Sequence, residues 1–118
     1  MTNFKLFHNI NIEDNWGGNT LEDIIKDMDE IKNKAKLLKA ISHPIRLCVV
    51  KGLMESEGYN VTKMQSCLDI PQSTLSQHLT KLKDLNIIEG KRNGVEIKYY
   101  VINDEVKKIV NSIFSDKE

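Results

Sequence analysis

The residues best equipped to contact another molecule lie between Pro71 and Leu82: Gln72, Ser73, Thr74, Ser76, Gln77, Thr80 and Lys81. Hydroxyls and amides both donate and accept hydrogen bonds, and an ammonium neutralises an anion. Such a set, with Asp84 the only acid before Asn86, suits the base edges and phosphates of a DNA major groove. Solvated helix faces more often mix Glu with Lys in salt-bridging pairs. An ordinary polar face is the competing reading, and the rest of the chain has to decide between them.

To act together, these side chains must share one side of a helix. At 3.6 residues per turn, Leu75, Leu79, Leu82 and Leu85 fall together on the opposite side. The spacing therefore predicts a helix over residues 71–85 with one apolar and one polar face.

Cysteine and histidine offer less chemistry. Cys48 and Cys67 are separated by eighteen residues, with no other Cys or His at zinc-site spacing. They read either as small buried residues kept reduced or as a reversible redox pair. His43 and His78 lie on different elements again. No glycine-rich phosphate loop or nucleophile–base pair accompanies them, so an enzyme is not expected.

At 118 residues the chain is long enough for one domain with one modest core. Its 40% apolar and 29% charged residues are ordinary for a globular protein. Seventeen basic and seventeen acidic residues cancel, so any case for a nucleic-acid partner rests on local charge. No apolar run nears the roughly 18–20 residues that cross a bilayer. The first residues, with Asn3, Lys5, His8 and Asn11, lack the apolar stretch of a signal peptide. A cytoplasmic protein without a membrane partner is expected.

Residues 1–19 show no clear period and end on Trp16-Gly17-Gly18-Asn19, which reads as an N-terminal arm. Phe4, Phe7, Ile10, Ile12 and Trp16 make it apolar enough to dock on a neighbour. The domain proper is expected over residues 20–114, with a tail at 115–118. Thr20, with Asp23 three residues on, opens a helix by a capping box. In it Leu21, Ile24, Met28, Ile31, Ala35 and Leu38 form a heptad seam. That seam belongs either to a core helix or to a subunit interface. Its length exceeds what a short three-helix core needs, which favours the interface.

Ser42 is placed to cap the next helix, and Pro44 is tolerated in its first turn. Leu47, Val50, Leu53 and Met54 would be buried, Gly58 would end the helix, and His43 reads as a capping or packing residue. Thr62 with Gln65 makes a second capping box, opening a short helix that buries Met64, Cys67 and Leu68. Asp69-Ile70-Pro71 is the turn before the polar-faced helix. After Asn86 the period changes from 3.6 to 2. The runs Ile87–Arg92 and Val95–Ile102 flank Asn93-Gly94, a strong hairpin signal in which both turn residues take positive φ. Lys91, Arg92 and Lys98 cluster near its tip, and residues 60–100 hold six cations against four acids. A last helix, from Asp104 to Phe114, carries Val106, Ile109, Val110 and Ile113, with Asn103 or Asp104 as cap.

This order of helix, helix, helix-turn-helix, basic hairpin and helix, an α+β but mostly α arrangement, resembles a winged helix-turn-helix DNA-binding domain. Leu37-Leu38-Lys39-Ala40-Ile41-Ser42-His43-Pro44-Ile45-Arg46-Leu47 is similar to the opening signature of the ArsR/SmtB family of small dimeric bacterial transcription repressors. Gln72-Ser73-Thr74-Leu75-Ser76-Gln77-His78-Leu79 resembles that family's recognition helix, and Gly94 with Tyr99-Tyr100-Val101-Ile102-Asn103 its wing strand. The resemblance spans residues 35–113. Within the family it looks nearest to the metal-independent PagR-like or HlyU-like branch, in which Pro stands where Ser is usual before the recognition helix, as Pro71 does here.

The resemblance implies a homodimer joined through its first and last helices, by Leu21, Ile24, Met28, Ile31, Ala35 and Leu38 with Val106, Ile109, Val110 and Ile113. It implies a double-stranded operator of two-fold symmetry, read by two recognition helices. Gln72, Ser73, Thr74, Ser76 and Gln77 would face base edges or nearby phosphates. His78 and Lys81 would touch the backbone, His78 having a structural hydrogen bond as its alternative. Lys91, Arg92 and Lys98, on the wing at 89–98, would lie along the minor groove. Where many members hold metal ligands, this chain reads Asn60-Val61-Thr62 and Asp104-Glu105-Val106, and Ser115-Asp116-Lys117-Glu118 adds no imidazole or thiolate. No metal or other cofactor is expected, and no inducer is indicated. Two other readings stay open: a winged-helix module that pairs with another protein, and a repressor that responds to oxidation of Cys48 and Cys67.

Overall fold

The structure, a computed structural model, describes residues 21–56 and 59–115. The expected arm at 1–19, the Thr20 cap, Gly58 and residues 116–118 of the tail lie outside them. The chain forms two compact units, Met1–Ala35 and Lys36–Glu118.

In the first unit, the single seam-bearing helix expected from Thr20 is two helices, α1 (Leu21–Lys26) and α2 (Met28–Ile41), which continues into the second unit. Asp27 is a turn between them, and its carbonyl accepts the Ile31 N–H at 3.0 Å, which puts an Asp at an N-cap position. Charge placement explains the break. Glu22 and Asp23 open α1 and Lys26 ends it, while Asp29 and Glu30 open α2. Each segment thus matches its own dipole. Leu21 is buried and Ile31 is exposed.

The second unit adds α3 (Pro44–Glu55), β1 (Tyr59–Asn60), α4 (Val61–Leu68), α5 (Gln72–Asp84), β2 (Ile88–Asn93), β3 (Glu96–Val101) and α6 (Asp104–Ile113). The strands make one antiparallel sheet in the order β1-β3-β2. Its core gathers Ile41 of α2, Val49, Val50 and Leu53 of α3, Met64 of α4, and Leu75, Leu79 and Leu82 of α5. Ala40, Ile87, Ile88, Tyr99, Val101, Val106 and Val110 complete it. Among the described residues no helix is long and apolar enough to cross a membrane.

Several local expectations shift. His43, not Ser42, caps α3: its Nδ1 accepts the Ile45 N–H at 3.0 Å, while Ser42 Oγ donates back to the Lys39 carbonyl at 2.8 Å. The helix begins at Val61, one residue before the expected cap, and the Gln65 amide reaches forward to the Ile70 carbonyl at 3.3 Å. That bond braces the Asp69-Ile70-Pro71 turn, where Asp69 takes φ 56°. Asn103 rather than Asp104 caps α6, its Oδ1 accepting from the Val106 N–H at 3.0 Å. Cys67 is exposed rather than buried.

The hairpin turn also differs. Asn93 pairs with Glu96, so the two-residue loop is Gly94-Val95, and Gly94 alone has positive φ (69°). A glycine in the first central position is the type II′ pattern. Packing on the strands accounts for the shift. Buried Ile88 sits opposite buried Val101, and Tyr99 lies opposite Gly90, where a Cβ would come within 2.9 Å of the tyrosine ring. A turn at Asn93-Gly94 would slide both pairs out of register.

Candidate nucleic-acid interface

Helix α5 is fixed by its apolar face and by both ends. Leu75, Leu79 and Leu82 are buried, each worth about 1.5–3 kcal/mol relative to exposure. Pro71 offers no side-chain cap, but its carbonyl accepts the N–H groups of Thr74 and Leu75, both at 3.1 Å. At the far end Asn86 takes φ 58°, Ile87 N–H bonds the Leu82 carbonyl and Asn86 N–H the Lys83 carbonyl, both at 2.9 Å. This is a Schellman closure with Asn in the left-handed position. The opposite face is open: Gln72, Ser73, Ser76, Gln77, Thr80 and Lys81 are exposed, while Thr74 and His78 sit half-buried at its edge.

The hairpin sorts its cations onto two faces, because neighbouring strand residues point opposite ways. Lys91 and Lys98 are directly opposite one another, so two like charges share one face, a pairing that costs stability unless an anion meets it. Lys91 also lies 3.6 Å from Glu89 and over the Tyr100 ring at 5.4 Å. Arg92 pairs with Ile97 on the other face. The three cations are therefore not one cluster. An open groove of about 320 Å³ separates α5 from the hairpin, with Gln72 and Ser76 on one wall and Val95, Ile97 and Tyr99 on the other. Val95, given no role by sequence reasoning, is at the tip and 96% exposed. Only the true turn position identifies it.

His78 is held rather than offered. Arg46 Nη1 lies 3.1 Å from His78 Nδ1, the Arg46 Nε donates to the Ala40 carbonyl, and the His43 and His78 rings are 4.4 Å apart. Burial, then His43 and Arg46, holds the His78 pKa below the usual histidine value. A neutral ring accepting at Nδ1 carries its proton on Nε2. Sequence reasoning gives Arg46 no role, because its partner His78 lies thirty-two residues away in another motif.

Cys48 on α3 and Cys67 on α4 are free and exposed. Among the described residues, no three His, Cys, Asp or Glu side chains group as metal ligands do. Of the residues assigned to a subunit interface, Leu21, Val106 and Val110 are buried within the single chain and cannot face a second copy as they stand. An apolar stripe on α6 is needed by the chain's own core. Met28 and Ile109 are half-buried, Ala35 is exposed, and the side chain of Ile24 lies outside the described residues. Ile31, Leu38 and Ile113 remain exposed at 42%, 49% and 57%.

A helix-turn-helix over α4 and α5, followed by a two-stranded wing with a cation pair, defines a winged-helix DNA-binding protein. A family described as a helix-turn-helix domain matches residues 41–91. The chain is 39% identical to the transcriptional repressor PagR of Bacillus anthracis over 68% of its own length and 80% of that protein's. It is 36% identical to the biofilm growth-associated repressor of Xylella fastidiosa over 81% of each. The crystal structure of PagR superposes with a TM-score of 0.65 at 36% identity, covering 73% of this chain and 98% of that one. Reduced HlyU of Vibrio cholerae gives 0.71 at 26% identity, over 76% and 94%. The chain belongs to the ArsR/SmtB family of winged-helix transcriptional repressors. It is a DNA-binding regulator and not an enzyme.

Proposed function

We propose that the protein acts in the cytoplasm as a homodimer on a two-fold symmetric operator, with α5 in the major groove and the β2–β3 wing along the minor groove. The observation that carries this reading is the exposed face of α5. Through Lys83 it holds hydroxyls, amides and lysines without an acid. Gln72, Ser73, Ser76 and Gln77 read base edges or nearby phosphates, and Thr74 contributes from the edge of the face. Lys81 with Lys91, Arg92 and Lys98 neutralises phosphates. The like-charged Lys91–Lys98 pair supports the wing's part, since a phosphate between them relieves their repulsion. Ile31 and Leu38 on α2 and Ile113 on α6 are exposed apolar contacts available to a second copy.

The test is selection from random duplexes, followed by anisotropy titration of the selected and a scrambled duplex at two salt concentrations. Gln77→Ala should cost about 1–3 kcal/mol on the selected duplex and relax its preference. Removing both Lys91 and Arg92 should weaken selected and scrambled DNA alike, and reduce the salt slope by about one for each phosphate no longer neutralised. Equal affinity of the wild type for both duplexes would overturn sequence reading. No binding to either at low salt would leave a winged-helix module that pairs with another protein.

A further inference from the structure

The fold brings together three groups that can all carry positive charge. His43 ends its backbone role as the α3 cap by accepting from the Ile45 N–H. Its ring lies 4.4 Å from that of His78. Arg46, in the first turn of α3, spans from the Ala40 carbonyl at the end of α2 to Nδ1 of His78 on α5. A guanidinium has donors only. The 3.1 Å contact is therefore a hydrogen bond only while the His78 Nδ1 lone pair is free.

We infer that His78 is a positioning residue whose neutral ring ties α5 to the start of α3, and that protonating it lowers the protein's selectivity for its operator. The inference rests on the DNA-binding reading above. A proton on Nδ1 replaces the acceptor with a donor facing Arg46, and sets an imidazolium against a guanidinium and a second imidazole. The tether breaks, and α5 loses its fix on the His43-Pro44 corner. The charged or titratable groups around the ring are these two from the α3 side, with Lys81 one turn further along its own helix. β2, which also packs on α5, carries Glu89, Lys91 and Arg92, of which the first two lie within 3.6 Å of each other. Of these groups, His43 and Arg46 are the ones whose charge opposes a proton on the ring.

The depressed pKa of His78 agrees with the geometry and sets the sign. The unfolded chain takes up its proton near about pH 6.5. The stability His78 contributes is therefore present above that pH and lost as pH falls through the lower, folded value. Binding has a sharper signature. An added charge by itself strengthens attraction to any DNA, whereas a released recognition helix weakens only the correct sequence. The ratio of selected to scrambled affinity separates the two.

The experiment uses the full chain, a duplex selected from a random pool, and its scrambled counterpart, titrated from pH 8 to pH 5.5. The wild-type ratio should fall by about tenfold, as the loss of one charge-assisted hydrogen bond implies. In His78→Gln, whose amide oxygen accepts from Arg46 at every pH, the ratio should no longer depend on pH. Nitrogen NMR of the wild-type rings gives a readout that needs no variant. His78 should be the Nε2–H tautomer at pH 8, titrate below the ordinary histidine value, and carry the α5 amide shifts with it. A pH-independent wild-type ratio, a His78→Gln ratio that falls as the wild type's does, or α5 amides indifferent to the His78 titration would each overturn the inference alone. Failure of folded wild type to bind either duplex at pH 8 would instead overturn the DNA-binding reading, and the inference with it.

Discussion

Leu82→Ala is expected to destabilise the protein by about 2–5 kcal/mol, the range for deleting a fully buried leucine and leaving a cavity. The site makes the upper half of that range the better expectation. Leu82 has no exposed surface, and its backbone carbonyl closes the Schellman cap by accepting from Ile87, itself fully buried. One residue thus joins the end of α5 to the entry into β2, and the packing of Leu82 on Ile87 is the apolar contact that such caps carry. Without that packing, both the recognition helix and the wing that follows it loosen. Chemical denaturation of Leu82→Ala beside Leu85→Ala checks the claim, because Leu85 is on the same helix end but only half-buried. Leu85→Ala should cost clearly less. Equal costs would mean that α5 is not seated through Leu82.

The same leucines show why this helix was legible in the sequence. Leu75, Leu79 and Leu82 repeat at the helical period, and nothing nearby competes with that pattern. Other features were hidden for identifiable reasons. The break at Asp27 preserves the three-four stepping of apolar residues, so periodicity cannot register it, although the acids at 27, 29 and 30 can. The Asn93-Gly94 dipeptide fits one turn and the strand cores fit another. Side-chain packing of Ile88 on Val101 and Tyr99 over Gly90 prevailed, which moved Lys91 from opposite Glu96 to opposite Lys98. A local turn preference had no means of anticipating that charge pair. The Arg46–His78 contact joins residues of two separate motifs, and no pattern within either motif points to the other. Val106 and Val110 show a further limit: an apolar stripe declares that it will be covered, but not by which chain.

That distinction makes Ile113 the most telling position for the proposed dimer. Ile113→Lys is expected to give a monomer whose affinity for a palindromic operator is lower by about 10²–10⁴, the advantage that disappears when a second recognition helix is no longer tethered to the first. Ile113 lies beyond the reach of the core at 57% exposure, whereas Val106 and Val110 hold α6 in place from within. The substitution therefore leaves the chain's own packing intact, and far-ultraviolet circular dichroism should remain that of the wild type. Sedimentation at micromolar concentration reads the change in mass directly. Leu38→Glu, at the exposed apolar position on α2 in the same unit, should act in the same direction. The DNA readout distinguishes a broken dimer from a damaged reading head. A monomer keeps one intact α5 and one wing, so its affinity for a half-site duplex should match that of the wild-type protomer, and its salt slope should fall to about half. The palindrome then offers it only two independent half-sites. A monomeric Ile113→Lys protein that still preferred the palindrome by orders of magnitude would show that the second copy is not what doubles the recognition helix.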